Sequence, residues 1–276
     1  MKTGENIIPS NKDYELIDEA LDIKSRLSDW ARRATKAFNQ LSKDTNTRYY
    51  QQSPLNLIDT PVETMVVGIN PGSDSPGIST LTPDSFLAGN PNWNRRFESK
   101  SGRMIVSKEW ARFFGAIHFF CCMNYDFHPD EFDDDKKTVW TNVTPFATPN
   151  ENLLKNKHYT EAIPFTCELI KILQPRQLVI VGSNIINLLA SMGTVNKIPV
   201  VRDNQSKRII EIGCFNSIPF IQLPHPSRDW GFNKFFIPSF ISIWRNLISD
   251  NRTVDEIAGS IKHEITQWTD RIKVME

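Results

Sequence analysis

Three short turns in the sequence present polar side chains held by proline or glycine. The first is Gly68-Ile69-Asn70-Pro71-Gly72. The second places Asn142 within Trp140-Thr141-Asn142-Val143-Thr144-Pro145, and the third is Leu223-Pro224-His225-Pro226-Ser227. Proline fixes a turn, and glycine lets another backbone or a ligand approach closely. The side chains presented are two amides and one imidazole. An amide carries a donor and an acceptor together. It can orient a water or match a mixed donor–acceptor edge. An imidazole can donate to an oxygen on which negative charge is building. Together they suit a reaction in which water displaces a group that departs as an anion. Taken singly, each residue also has a plain reading. Asn70 suits a turn, Asn142 suits a strand end tying a loop, and His225 suits a structural histidine.

The elements that must position these turns are legible as short apolar runs. Met65-Val66-Val67-Gly68-Ile69, bounded by Pro61 and Asn70-Pro71-Gly72, reads as a buried strand. Thr138 to Val143, Gln177 to Gly182 and Ile218 to Leu223 read as three more. Lesser strands are expected at Val200–Val201 and from Ile209 to Ile212. Helical spacing of Leu16, Ile17, Ala20, Ile23, Leu27, Trp30, Ala31, Ala34 and Phe38 predicts a helix from about Lys12 to Lys43. Further helices are expected over Ser107 to Phe120, Tyr159 to Leu173, Ile185 to Met192, Lys234 to Ser249 and Val254 to Val274. Pro164 is expected in the first turns of its helix. Residues 73–103, rich in Ser, Pro, Gly and Asn, read as a long loop of the kind that tends to be functional. Strands alternating with helices indicate an α/β fold with a mainly parallel sheet. In such sheets ligands gather at the carboxyl ends of the strands. The expected organisation is a helical extension over 1–54, an α/β core over 55–250 and a C-terminal helix over 251–276.

Composition narrows the function classes. The chain has 276 residues, with 32 Lys plus Arg against 32 Asp plus Glu, and so no formal net charge. That excludes a coat binding nucleic acid by bulk charge, but not a local basic face. Nowhere does an apolar run approach the roughly 18 residues of a spanning helix. Of the four cysteines, Cys121, Cys122, Cys167 and Cys214, only an adjacent pair is close. Reduced thiols and a cytoplasmic protein are expected. The acidic stretch from Asp126 to Asp135 lacks calcium-loop spacing. Gly68, Gly72 and Gly77 do not form a dinucleotide fingerprint, and no nucleophile-elbow pattern surrounds Ser227.

The order of the three turns on successive strand ends resembles the uracil-DNA glycosylase superfamily over most of residues 62–248. Gly68-Ile69-Asn70-Pro71-Gly72 looks like the first motif of its mismatch-specific thymine/uracil branch. His225-Pro226-Ser227 looks like the last motif of its classical uracil branch, and Pro175 to Gly182 resembles its third core strand. The resemblance implies a three-layer α/β/α fold around a four-stranded parallel sheet of order 2-1-3-4. It implies hydrolysis of the N-glycosidic bond of uracil or a related base flipped from DNA, with no metal or organic cofactor. Asn70 matches the residue that positions the attacking water, and His225 the donor to the departing base. Asn142 matches the pyrimidine-reading amide. Gly68, Ile69, Pro71, Gly72, Pro226 and Ser227 line the substrate in the same comparison. Phe86, or alternatively Trp93, is the aromatic expected to stack on the base.

The partner implied is DNA, single- or double-stranded, inside the cell and at the nucleoid in a bacterium. Residues 95–112 hold six basic side chains (Arg95, Arg96, Lys100, Arg103, Lys108, Arg112) against Glu98 and Glu109. Arg95, Arg96, Arg103 and Arg228 are the candidate phosphate contacts. Lys197, Arg202, Lys207 and Arg208 form a second basic segment, readable equally as solvated surface. One departure from the pattern is Asp229, which falls where the family places an apolar wedge. A carboxylate facing phosphates is unfavourable. Single-stranded substrates would relax the demand for a wedge. The competing functions are a non-catalytic nucleic-acid or nucleobase binder of the same fold and a small-molecule α/β enzyme unrelated to DNA.

Overall fold

The computed structural model describes residues 11–72, 76–100, 103–106, 136–182, 184–202 and 208–223, with Glu256, Gly259 and His263. The sheet at its centre has six strands. These are β1 (Thr64–Gly68), β4 (Thr138–Asn142), β5 (Gln177–Val181), β6 (Val195–Arg202), β7 (Arg208–Phe215) and β8 (Ile218–Leu223), in the order β4-β1-β5-β8-β7-β6. The pairings β1–β4, β1–β5 and β5–β8 are parallel, whereas β7 pairs antiparallel with both β8 and β6. The fold is therefore α/β with a mixed sheet. The expected lesser strands are full members of that sheet. Asn216 and Ser217, both at positive φ, form the two-residue turn that lets β7 fold back beside β8. A separate hairpin pairs β2 (Phe97–Lys100) with β3 (Arg103–Val106).

Helix α1 (Asn11–Thr45) turns its apolar stripe inward. Ile23, Leu27, Trp30, Ala31, Ala34, Phe38 and Leu41 are all buried and share one core with the sheet residues Met65, Val67, Val139, Leu178 and Ile180. Phe38 is the hub of that core. Tyr49, Phe86, Phe146 and Phe165 meet it edge-on at centroid distances of 5.1–6.0 Å. Edge-to-face contact matches the positive ring edge to the negative ring face. Truncating such a residue to alanine typically costs about 3–5 kcal/mol. Helix α3 (Asn156–Leu173) runs beside α1, and Trp30 Nε1 donates to Phe165 O at 2.9 Å. Arg33 adds a forked pair to Glu168, but both side chains are more than a third exposed. That pair contributes about 1 kcal/mol or less.

Three local expectations change. Pro164 lies in the middle of α3 rather than in its first turns. Its ring removes the bond to the carbonyl of Thr160. Both residues are exposed, so water can satisfy that carbonyl. α3 ends at Gln174, which takes a left-handed conformation ahead of Pro175. The segment read as a loop over 73–103 holds helix α2 (Pro83–Leu87), a 3-10 turn (Trp93–Arg96) and β2. Thr82 and Ser85 cap α2 reciprocally, which an overall loop-like composition conceals. Helix α4 (Ile185–Leu189) is shorter than its apolar spacing suggested. The helices expected over Ser107 to Phe120 and Lys234 to Ser249 lie outside the described residues. Of the one expected over Val254 to Val274, only Glu256, Gly259 and His263 fall within them. No described helix is long and apolar enough to cross a membrane.

Candidate functional site

Because β1, β4, β5 and β8 are mutually parallel, their carboxyl ends share one edge of the sheet. Beyond that edge the chains leaving β1 and β4 continue side by side. Val143 N donates to Gly68 O at 2.8 Å, Thr144 N to Ile69 O at 3.1 Å and Thr148 N to Pro71 O at 3.2 Å. A third segment, just after α1, joins from the other side. Ala147 N donates to Arg48 O at 2.7 Å, and Tyr50 N donates to Pro145 O at 3.1 Å. The Tyr50 hydroxyl also donates to Gly72 O at 2.9 Å. These bonds give the turn Gly68 to Gly72 a fixed shape although it lies outside the sheet.

Two amides sit on this platform. Asn70 is half-buried. Its Nδ2 donates to Pro71 O at 2.9 Å and Thr148 Oγ1 at 2.9 Å, with Phe146 O further away at 3.4 Å. Among the described residues no donor reaches its Oδ1. The group that Asn70 offers outward is therefore an acceptor. Asn142 closes β4 opposite Gly68 and is 8 % exposed. Its Oδ1 lies 2.7 Å from where a Cβ on Gly68 would stand. Glycine is needed there for close approach rather than for backbone freedom. Among the described residues no hydrogen bond engages the Asn142 side-chain amide. Its backbone is held from α3, since Thr166 Oγ1 contacts Asn142 O at 3.3 Å and Val143 O at 3.0 Å. A ligand with a complementary edge could pair with this amide in place of water.

No protein-family model and no curated protein matches the chain.

Of the expected site residues, Gly68, Ile69, Asn70, Pro71, Gly72 and Asn142 lie on adjoining backbone at the ends of β1 and β4, with Gly68, Pro71 and Asn142 buried. Phe86 does not join them as a stacking platform. It is 1 % exposed and stacks on Trp30 at 5.4 Å with planes 22° apart. The capped turn of α2 points it into the core. A cavity of about 10 Å³ lies between Phe86, Trp30, Phe38, Gln51, Thr141 and Asn142. That is room for about one water, not for a ring. The alternative, Trp93, is equally enclosed and faces Trp140 at 6.2 Å. Arg95 is exposed on the 3-10 turn, while Arg96 and Arg103 are described by backbone alone. His225, Pro226, Ser227, Arg228 and Asp229 lie outside the described residues. β8, which leads to them, ends at Leu223 on the shared edge.

Sequence reasoning missed the residues that brace this surface. Thr148 and Tyr50 touch it directly, and Gln51 supports β4 from behind. Gln51 Nε2 donates to Trp140 O at 2.9 Å, and Thr141 Oγ1 donates to Gln51 Oε1 at 3.1 Å. Burial pushes the Tyr50 phenol up to about 12, so it stays a neutral donor. His158 backs Phe146, with ring centroids 4.7 Å apart. It is fully buried, and its Nδ1 accepts from Lys155 N at 3.0 Å, so the proton sits on Nε2. Burial first, then Lys157 and Lys155, push it down to about 4. A second polar cluster lies further along the sheet. Gln222 Nε2 donates to the buried carboxylate of Glu211 at 2.6 Å, and Gln222 Oε1 accepts from Ile186 N at 3.0 Å. Lys197 Nζ stands 3.7 Å from Glu211 and donates to Asn187 Oδ1 at 2.5 Å. That binds Lys197 to the fold instead of leaving it toward phosphate. Among the described residues no group of His, Cys, Asp or Glu could hold a metal ion.

Proposed function

We propose that the chain is a DNA glycosylase-like hydrolase that cleaves the N-glycosidic bond of uracil or a related base, acting on DNA inside the cell. The observation that carries this reading is the pair of amides on one braced platform. Asn70 presents an untied carbonyl oxygen, and Asn142 presents an untied amide over Gly68. Further support comes from the sheet. Four of its strands, β4, β1, β5 and β8, are parallel neighbours within the mixed sheet.

In this reading Asn70 Oδ1 accepts a hydrogen bond from the attacking water and aims it at the sugar carbon. That carbon carries positive character as the bond breaks, so water needs orientation more than deprotonation. Asn142 matches the donor–acceptor edge of the base, which recovers part of the few kcal/mol needed to unstack it. His225 donates to the base oxygen as the base leaves with negative charge. Arg95, Arg96, Arg103 and Arg228 meet phosphates around the pocket. The ring that stacks on the base is not Phe86 or Trp93, both of which are core residues.

The test is base release from oligonucleotides containing uracil or other altered bases, single- and double-stranded, read as alkali-labile breaks. Wild-type protein should release at least one base, and Asn70→Ala and His225→Ala should lose about a hundredfold or more in kcat. Absence of release from every substrate rejects catalysis. Salt-sensitive binding without release would instead identify a non-catalytic binder.

A further inference from the structure

The orientation of the Asn70 amide is set by acceptors both inside and outside the turn that carries it. Pro71 O and Phe146 O can only accept, so Nδ2 and not Oδ1 must face them. Thr148 is the one neighbour with a choice, because a hydroxyl can donate or accept. Its single hydrogen goes to Asn150 O at 2.7 Å. Toward Asn70, at 2.9 Å, it therefore presents a lone pair. A lone pair there attracts Nδ2–H and repels Oδ1. Asn150 is fixed in turn by the 3-10 turn Glu151–Leu153. Its Oδ1 accepts from Asn152 N at 3.1 Å, and its carbonyl also accepts from Leu153 N at 3.3 Å. Thr148 is 6 % exposed, so bulk water does not compete freely for these bonds.

We propose that Thr148 is the positioning residue for Asn70. The chain from the Asn70 amide through the Thr148 hydroxyl to Asn150 O locks the amide, with Oδ1 turned outward toward the attacking water. The role of Oδ1 rests on the glycosylase reading, whereas the lock stands on the hydrogen-bond geometry alone. Without the Thr148 oxygen, Nδ2 keeps Pro71 O at 2.9 Å, its second hydrogen falls back on Phe146 O at 3.4 Å, and the amide is held less firmly.

Two readouts on the full chain test this. Thr148→Val replaces the hydroxyl by a methyl of similar size, and Thr148→Ser keeps it. Thr148→Ala serves the same comparison if valine does not fold, and a thermal melt checks each variant. In ¹⁵N NMR the Asn70 side-chain amide, assigned by its loss in Asn70→Ala, should exchange slowly in the wild type and Thr148→Ser. It should exchange about tenfold faster in Thr148→Val, as expected for one lost hydrogen bond. In base release, Thr148→Val should lower kcat about tenfold with KM little changed, and Thr148→Ser should restore it. Unchanged Asn70 exchange in Thr148→Val overturns the lock. Faster exchange with unchanged kcat overturns the positioning role. Faster exchange in a protein whose wild type releases no base supports the lock and removes the glycosylase reading.

Discussion

Two polar clusters lie against the same sheet and differ in one respect. Around β7 and β8, Glu211 and Gln222 pair with each other, Lys197 of β6 reaches Glu211 and the exposed Asn187 of α4, and Gln222 also takes the Ile186 N–H at the start of α4. At the ends of β1 and β4, the backbone is cross-braced while two side-chain amides keep open groups. Oδ1 of Asn70 and the amide of Asn142 have no partners among the described residues. A closed network holds a fold, since every polar group placed inside is compensated there. An open one leaves a cost that only a ligand or water can remove. The two clusters should therefore respond to mutation in opposite ways: the first in stability, the second in function.

The largest expected effect is on the closed cluster. Gln222→Leu removes a donor to a carboxylate that is 3 % exposed, and should cost about 3 kcal/mol in urea unfolding. A loss below about 1 kcal/mol would mean that Glu211 finds other partners, and that the cluster is not closed. Next is the support behind the open cluster. His158 is held neutral, with its folded value near 4 against an ordinary 6.5. A base whose folded value is depressed stabilises the fold above the unfolded value and loses that contribution as pH falls. Stability should decline from about pH 6.5 and be lower by about 3 kcal/mol near pH 4. His158→Phe should flatten that part of the profile, and an unaltered slope would assign it to other groups. The smallest effect tests the approach of Asn142 to Gly68. Gly68→Ala puts a methyl 2.7 Å from Asn142 Oδ1, so the amide must shift. Base release should fall about tenfold, since small displacements in a positioned site carry costs of that size. Equal rates would show that Asn142 does not read the base.

The strands were legible because each is a short apolar run between proline, glycine or asparagine, and β1, β4, β5 and β8 fall where those runs lie. The turn Gly68 to Gly72 and Asn142 were legible as strand-end residues for the same reason. Their bracing was not. Gln51 reaches Trp140 across 89 positions, and Thr148 meets Asn70 only because two chains stay in register beyond the sheet. No local pattern encodes such a meeting. Phe86 misled because its surroundings read as an exposed loop, whereas the Thr82–Ser85 cap makes α2 and turns the ring inward against Trp30. The N-terminal helix read as an amphipathic extension packing on the core, and its apolar stripe belongs to that core. Amphipathic spacing shows that a face is buried without showing against what.

The claim that untied polar groups mark the reactive end of this sheet is tested most directly by one paired measurement. Single-turnover uracil release is followed for wild type, Asn70→Ala and the folded fraction of Gln222→Leu. The expected result is release by wild type, a loss of about a hundredfold in Asn70→Ala, and a rate within about twofold of wild type in Gln222→Leu. No release by wild type, or equal losses in the two variants, would contradict it.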